Sequence, residues 1–346
     1  MHLKIKNRIE QELSSYASTF DQRYSLSKIS PVLYKYIREF ILRPGKRVRP
    51  TLFVIGYLGF SEKIAPGLYS SALSIELLHD FMLVHDDIID KSDTRRGKPS
   101  MHKMLNGYLK KYPGIKFNGE DLAIVAGDVM YAMGMDAFLS IKEEPGRKET
   151  AMRKLIQAAL YTGSGEFIEL LCGVKELEKL TQGDIYKIYD YKTANYTFAS
   201  PLAVGAILAG ADKKETDILF KYGIYLGRAF QIKDDILGLF GDEKKLGKSI
   251  LTDLKEAKKT LLIWRAFNRS GKLDKAKIRK ILGRKDIGMA DLKIMRGIIN
   301  RSGALDYTKK EILRFMRQAQ ELIATSKIKP DYKKALWAYS QDMLNL

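Results

Sequence analysis

Apolar and polar residues along this chain recur at a helical period almost throughout, and strand-like alternation is scarce. Residues 1–22 place Leu3, Ile5, Ile9, Leu13 and Tyr16 on the inner face of an amphipathic helix. A second helix follows Pro31 through Val32, Leu33, Tyr36, Ile37, Phe40 and Ile41, until RPGKRVRP at residues 43–50 breaks the pattern. An apolar helix over residues 51–60 comes next. Residues 72–89 then carry Leu73, Ile75, Leu77, Leu78, Phe81, Met82, Leu83, Val84, Ile88 and Ile89 all around the wheel, the mark of a buried helix.

Residues 100–120 read as a loop, or a helix followed by a loop, punctuated by Pro113, Gly114 and Gly119. Residues 123–141 are a further buried helix rich in small residues, ended by Pro145 and Gly146. Residues 148–172, 181–210 and 215–240 predict three long helices. Residues 241–260 are glycine-punctuated and basic, resembling a mobile flap, and the rest of the chain to Leu346 is helical in pattern without identifiable chemistry. With no repeat of fixed period, the expectation is one large all-α domain over residues 1–346.

Composition narrows the classes. Hydrophobic residues make up 45% of the chain, enough for a substantial core, and Cys172 is the only cysteine, so no disulfide framework exists and a reducing compartment is expected. The four histidines lack zinc-site spacing. The N-terminal MHLKIKNRIEQEL has no long apolar core and carries acids early, which argues against a secretory signal or transit peptide. The longest mildly apolar run, Phe198 to Ala211, is interrupted by Pro201 and too short to span a bilayer. A cytoplasmic protein without a transmembrane segment is expected. The net charge of +19 asks for an anionic partner. Nucleic acid is disfavoured, because the basic residues interleave with acids or cluster at turns beside them, rather than lining a helix face with aromatics.

The chemistry begins where the buried helix turns acidic. Asp86 and Asp90 lie four residues apart on one face with Asp87 beside them, and Arg95, Arg96, Gly97 and Pro99 follow. Clustered carboxylates at the negative end of a helix repel one another unless a cation compensates them. Magnesium fits, because it takes one or two carboxylates and completes its shell with water and substrate phosphates. Arginines directly after the acids supply fixed donors for phosphate oxygens, so this stretch reads as a diphosphate site. An acidic helix end is ordinarily a solvated surface. The apolar helix before it, the arginines after it and a second acidic cluster downstream shift the balance.

That second cluster holds Gln231, Asp234 and Asp235 on another largely apolar helix; if the two helices face each other they could hold metal ions around one diphosphate. Lys46, Arg47 and Arg49, between two prolines at a helix start, form a ready anion site, against the bland reading of a basic loop. Lys192, Thr193 and Tyr196 share a helix face, and Lys248 and Lys258 of the flap could close over phosphate. Asp128 and Asp136 lack a neighbouring basic pair and read as structural.

GKRVRP, HDDIID with RRG, KTA, FQIKDD and GKSILTDLKEAKKT, in that order, resemble the motifs of the trans-isoprenyl diphosphate synthases, or polyprenyl synthetases, over residues 40–262, leaving residues 263–346 as C-terminal helices. The resemblance implies a bundle of mostly antiparallel helices around a deep central cavity, a homodimer, and magnesium-dependent head-to-tail condensation of isopentenyl diphosphate with an allylic diphosphate (dimethylallyl, geranyl or farnesyl), releasing pyrophosphate. It also implies that Asp86, Asp90 and Asp234 ligate magnesium with Asp87 and Asp235 in support. Arg95, Lys192, Thr193, Gln231, Lys248 and Lys258 would hold the allylic diphosphate, and Lys46, Arg49, His79 and Arg96 isopentenyl diphosphate. The Lys192 carbonyl and Thr193 hydroxyl would stabilise an allylic cation.

One position departs from the family pattern: the second acidic motif ends in Gly238 where a third aspartate is usual. Chain length rests on the residues before Asp86. By resemblance Phe81 is the floor that stops the growing chain, while the helical wheel brings Met82, not Phe81, into line with Asp86; both would otherwise be plain core residues. One aromatic there, with no insertion in DDIID, resembles synthases of the twenty-carbon geranylgeranyl diphosphate, with farnesyl diphosphate or a mixture as the alternative. A silent subunit of a partner synthase would lack the first acidic motif or the arginine pair, and both are present. A terpene cyclase would not need a second phosphate site such as GKRVRP with Arg96.

Overall fold

The helical periods become helices over the residues that the computed structural model describes, 1–242, 250–284 and 286–344, and the strand content among them is one pair of two-residue strands. The fold class is all-α, as the pattern predicts. The chain divides into two compact units, Met1–Leu155 with Val204–Ala211, and Ile156–Ala203 with Asp212–Leu346.

The first unit opens with α1 (His2–Tyr24), which buries Ile5, Ile9, Leu13, Tyr16, Ala17 and Phe20, whereas Leu3, expected on that face, is exposed near the fraying end. After the short α2 (Leu26–Ile29), Pro31 starts α3 (Pro31–Ile41), where its missing N–H costs nothing. The next helix, α4 (Val48–Leu58), begins earlier than the prolines suggest and takes Arg49 and Pro50 into its first turn. The same exemption explains it: a first-turn proline breaks no intrahelical bond. The apolar α5 (Leu68–Ile89) packs on α7 (Gly119–Leu139), with Asp90 as C-cap of α5, and α6 (Met101–Leu109) lies between them in sequence. Asn118 and Asp121 form a capping box that starts α7.

Two expectations are corrected here. Pro145 does not end α7 but opens α8 (Pro145–Val174), again at a position where proline is tolerated. The longest apolar element is α7 rather than residues 198–211, and α7 alone among the described helices is long and apolar enough to cross a membrane. It is fully buried on only part of its surface, leaving Ile124, Val125 and Leu139 exposed. Within its unit it is tied down by specific bonds. Tyr16 donates to the Met133 carbonyl at 2.7 Å, and Asp136 accepts from Tyr16, Arg23 and Tyr24, the structural place expected for it.

In the second unit the expected helix over residues 181–210 is α9 (Gln182–Ile188), a π-helical stretch (Tyr189–Ala199) and α10 (Ser200–Leu208), the last of which passes into the first unit. The wide π turn follows from close backbone approach. A Cβ at Gly165 of α8 would land on the Lys192 main chain, and one at Gly227 of α11 (Lys213–Phe240) on Ala194, so only glycine lets the two helices close on this segment. Beyond α11 come α12 (Thr252–Lys255), α13 (Leu261–Arg269), α14 (Lys272–Leu282), α15 (Met289–Arg301), α16 (Ala304–Ala324) and α17 (Pro330–Leu344). The α16 helix packs along α11, and Glu215 at the start of α11 holds Ser326 and the Lys327 amide beyond the end of α16.

Candidate active site

In the first unit the chain after Asp90 turns back at once. Lys91, Arg96 and Gly97 adopt left-handed backbone conformations, and β1 (Thr94–Arg95) pairs with β2 (Lys98–Pro99). Buried Arg43 grips this turn through the carbonyls of Arg95 at 3.1 Å and Pro99 at 2.9 Å, so the two site arginines sit on a braced hairpin. Arg95 Nε donates to Asp87 Oδ1 at 2.9 Å with a second, shorter bond from Nη2. Asp87 is fully buried and its carboxyl is raised by that burial, whereas Asp86 and Asp90 remain partly exposed. The three acids thus divide: two accessible carboxylates one turn apart, and one spent on orienting Arg95.

Behind them α5 carries two more acids that the sequence reading passed over. Glu76 and Asp80 are one turn apart and buried. Arg96 donates to Asp80 Oδ1 at 3.1 Å and Arg47 to Glu76 Oε1 at 2.7 Å. Arg47 also binds Glu10 and the carbonyls of Ile41 and Arg43, so this residue of GKRVRP is a buried tie rather than a phosphate donor. Lys46 is exposed and Arg49 half-buried. His79 stands in this field: burial, then the charges of Arg49, Arg96, Arg95 and Arg47, hold its pKa well below the usual range, so it is neutral at physiological pH. The pair Glu76 and Asp80 was legible in principle, since acids buried on an apolar helix require cationic partners.

In the second unit the motif residues form one hydrogen-bonded chain. Thr193 Oγ1 donates to Gln231 Oε1 at 2.8 Å, Gln231 Nε2 to Asp235 Oδ1 at 3.0 Å, and Tyr189 Oη to Asp235 Oδ2, while the Leu261 amide donates to Tyr189 Oη at 2.8 Å. Asp235 is buried and burial drives its carboxyl well above the usual range, with the charges of Asp253 and Asp234 adding to the rise. Asp234 stays partly exposed. Lys192 is held by Glu166 at 2.6 Å and by Glu169, and Lys258 pairs with Glu256 at 2.6 Å. Lys248 falls outside the described residues, as do the other flap residues from 243 to 249. Phe81 packs edge-on against His85 at 4.6 Å between centroids and against Tyr131 of α7 at 5.5 Å, while Met82 is buried.

The donor set suits a hard divalent cation and an anion beside it. Asp87 Oδ2 and Arg96 Nη1 are buried without a hydrogen-bond partner, the first an acceptor and the second a donor. No three His, Cys, Asp or Glu side chains among the described residues form a metal-binding group. The partly exposed Asp86 and Asp90, one turn apart, suit magnesium, which uses one or two carboxylates with water and phosphate. Acids, guanidiniums and a neutral imidazole in one unit are groups of the kind that handle phosphate and a hard cation.

The comparisons with known proteins agree. The model described as Polyprenyl synthetase matches residues 30–298, and the chain belongs to that family. A short chain isoprenyl diphosphate synthase of Methanocaldococcus jannaschii is 31% identical over 88% of this chain and 84% of its own length. A geranylfarnesyl diphosphate synthase of Aeropyrum pernix is 33% identical over 87% and 88%. Among solved structures, a geranylgeranyl pyrophosphate synthase from Corynebacterium glutamicum, complexed with isoprenyl diphosphate and magnesium, superposes with a TM-score of 0.88 at 25% identity, covering 99% of this chain and 98% of that one. The protein is therefore a prenyltransferase of a family that binds a divalent metal.

Proposed function

We propose that this prenyltransferase condenses isopentenyl diphosphate head to tail with allylic diphosphates, releases pyrophosphate, and makes geranylgeranyl diphosphate as its main product. The observation that carries the reading is the first unit's cluster, in which the charges of Arg49, Arg96, Arg95 and Arg47 act on a neutral His79, and α5 carries the partly exposed Asp86 two turns further on with Asp90 at its end. Guanidiniums with an imidazole make an anion site, and two carboxylates one turn apart suit a metal ion.

In this reading Asp86 and Asp90, with Asp234, would hold magnesium, which when bound would supply positive charge to neutralise the diphosphate. Arg95, kept in place by Asp87, and Lys192 bind the allylic diphosphate. Arg49, Arg96, His79 and Lys46 bind isopentenyl diphosphate. Thr193, fixed through Gln231 and Asp235 onto Tyr189, sets its oxygen and the Lys192 carbonyl toward the cationic carbon. Preorganised dipoles of this kind act without reorganising, and the exclusion of water protects the cation. The pyrophosphate released takes the proton, so the site needs no protein base.

Phe81 is the residue we assign to stopping the chain, supported by its wedge against His85 and Tyr131. Farnesyl diphosphate or a mixture remains the second product assignment. We also read the whole chain as one cytoplasmic catalytic domain acting as a homodimer. In support, α8 exposes Leu160, Phe167, Leu170, Leu171 and Val174 along one side, apolar surface that a second copy would cover, and Cys172 is a buried free thiol.

The experiment is product analysis by mass spectrometry after incubation with magnesium, isopentenyl diphosphate and, separately, dimethylallyl, geranyl and farnesyl diphosphates. A single twenty-carbon product from each starter is expected. Shorter or mixed products would move the floor from Phe81, and no condensation with any starter would sink the reading.

A further inference from the structure

Between Asp93 and Glu120 the chain carries seven lysines and arginines and no acid. Arg95 and Arg96 belong to the site already described, and Lys98 and Lys103 pair with Glu39 and Asp93. The other three, Lys110, Lys111 and Lys116, lie in the loop that joins α6 to α7.

All nine residues of that loop, 110–118, are exposed, and three of them bring apolar surface into water: Tyr112 is 48% exposed, Ile115 38% and Phe117 47%. The loop is tied down at both ends. The Tyr112 amide donates to the Leu109 carbonyl at 2.9 Å, and the Gly119 amide to Asn106 Oδ1 at 2.7 Å. A Cβ at Gly119 would fall on the His102 carbonyl, so only glycine lets the far end close on α6. The apolar side chains therefore stand outward on a braced loop. They continue an aromatic row: Tyr108 Oη lies 3.1 Å from Tyr112 Oη, and the Tyr108 ring packs edge-on against Tyr36 of α3 at 6.2 Å. Beside this row runs a groove of about 360 Å³ walled by Val32, Tyr36, Met104 and Tyr108, with the Lys35 and Lys111 ammoniums over the two tyrosine rings at 5.8 and 5.5 Å.

Apolar side chains alternating with lysines make a poor surface for a protein partner, because protein interfaces are depleted of lysine. A second copy docked face to face would set Lys110, Lys111 and Lys116 against themselves, at a cost in like-charge repulsion. A bilayer surface accepts both kinds of residue. Aromatic rings settle at headgroup level, and lysine stems lie along them with their ammoniums at the lipid phosphates. We propose that the α6–α7 loop and the groove beside it dock this protein on an anionic phospholipid surface, with Tyr112, Ile115 and Phe117 in the headgroup layer and Lys110, Lys111 and Lys116 on the phosphates. A loop of this length cannot cross a bilayer, so the attachment is peripheral.

The test is co-sedimentation of the full-length protein with vesicles of phosphatidylcholine alone and of phosphatidylcholine mixed equally with phosphatidylglycerol, at low and high salt. Wild type is expected to sediment with the anionic vesicles only and to be released by salt. Lys110→Gln, Lys111→Gln and Lys116→Gln combined are expected to weaken binding about 100-fold, from about fivefold for each lysine near an anionic surface. Tyr112→Ser, Ile115→Ser and Phe117→Ser combined are expected to weaken it about tenfold, with the thermal unfolding midpoint kept because all three side chains are exposed. Removing the same charge from the second unit, by Lys272→Gln, Lys309→Gln and Lys310→Gln, is expected to leave binding within about threefold of wild type. Wild type absent from the anionic pellet, loop variants that bind as wild type does, or a second-unit variant as weak as the loop lysine variant would each overturn the inference. So would a changed oligomeric state of the serine variant in light scattering, which would assign the loop to a second copy. The assay involves no turnover, so failure to bind vesicles leaves the prenyltransferase reading standing, and failure to condense substrates leaves the lipid surface standing.

Discussion

Replacing Asp80 by Asn removes one titration from the buried cluster behind the arginine hairpin. Burial pushes the Asp80 carboxyl up from 3.8 to about 7, with Arg96 pulling it back and Glu76 pushing it further. A carboxyl raised in the folded state binds protons there that the unfolded chain has already lost, so this group's contribution to stability falls as pH rises from its unfolded value through its folded one. Integrated between pH 5 and pH 8, the loss is about 2.5 kcal/mol. Asn has no such titration. The stability difference between Asp80→Asn and wild type therefore shifts in favour of the variant by about 2.5 kcal/mol over that interval. Urea midpoints of both proteins at several pH values measure it. Parallel midpoint curves would show that Asp80 is ionised throughout and refute the argument. The same change releases Arg96 from its 3.1 Å bond to Asp80, so KM for isopentenyl diphosphate is expected to fall while KM for the allylic substrate holds.

Phe81→Ala is expected to lengthen the product, because it removes the ring packed on His85 and Tyr131; an unchanged product distribution would clear Phe81 of that role. Gly165→Ala would press a methyl into the Lys192 main chain, with an expected loss of about 1–3 kcal/mol by overpacking and a fall in kcat as Thr193 is displaced, read by urea titration and steady-state kinetics. Tyr189→Phe strips a buried acceptor from the Leu261 amide and a donor from Asp235, at about 1–3 kcal/mol for each group left unpaired; denaturation midpoints matching wild type would contradict the hydrogen-bonded chain described here.

The parts legible in the sequence are those that obey local periodicity. Asp86 and Asp90 could be placed on one face because helical spacing alone fixes it, and the apolar character of α5 announced its burial. The division of labour between Asp87 and its neighbours was not legible from spacing. It depends on a hairpin that swings Arg95 back onto α5, and on Arg43, from before α4, which braces that hairpin. The π-helical stretch around Lys192 escaped notice for a similar reason: its width is set by glycines on two other helices. Spacing placed Lys192 on a face with Thr193 and Tyr196 but gave no sign of Glu166 and Glu169, spaced to share a face of α8, which receive it. Gly238 was visible as a departure from the family pattern, but the Asp253 carboxylate that a Cβ there would meet comes from another helix, beyond the reach of any local rule.

The central claim is that the two substrates are joined with loss of one diphosphate under control of a metal held by the acidic helix ends. Its most direct test counts pyrophosphate released against isopentenyl diphosphate consumed, with magnesium present and then with magnesium removed by a chelator. One pyrophosphate for each isopentenyl unit added, falling to background without the metal and returning when it is restored, is the predicted result. Isopentenyl diphosphate left unconsumed in the presence of magnesium and an allylic diphosphate would contradict it.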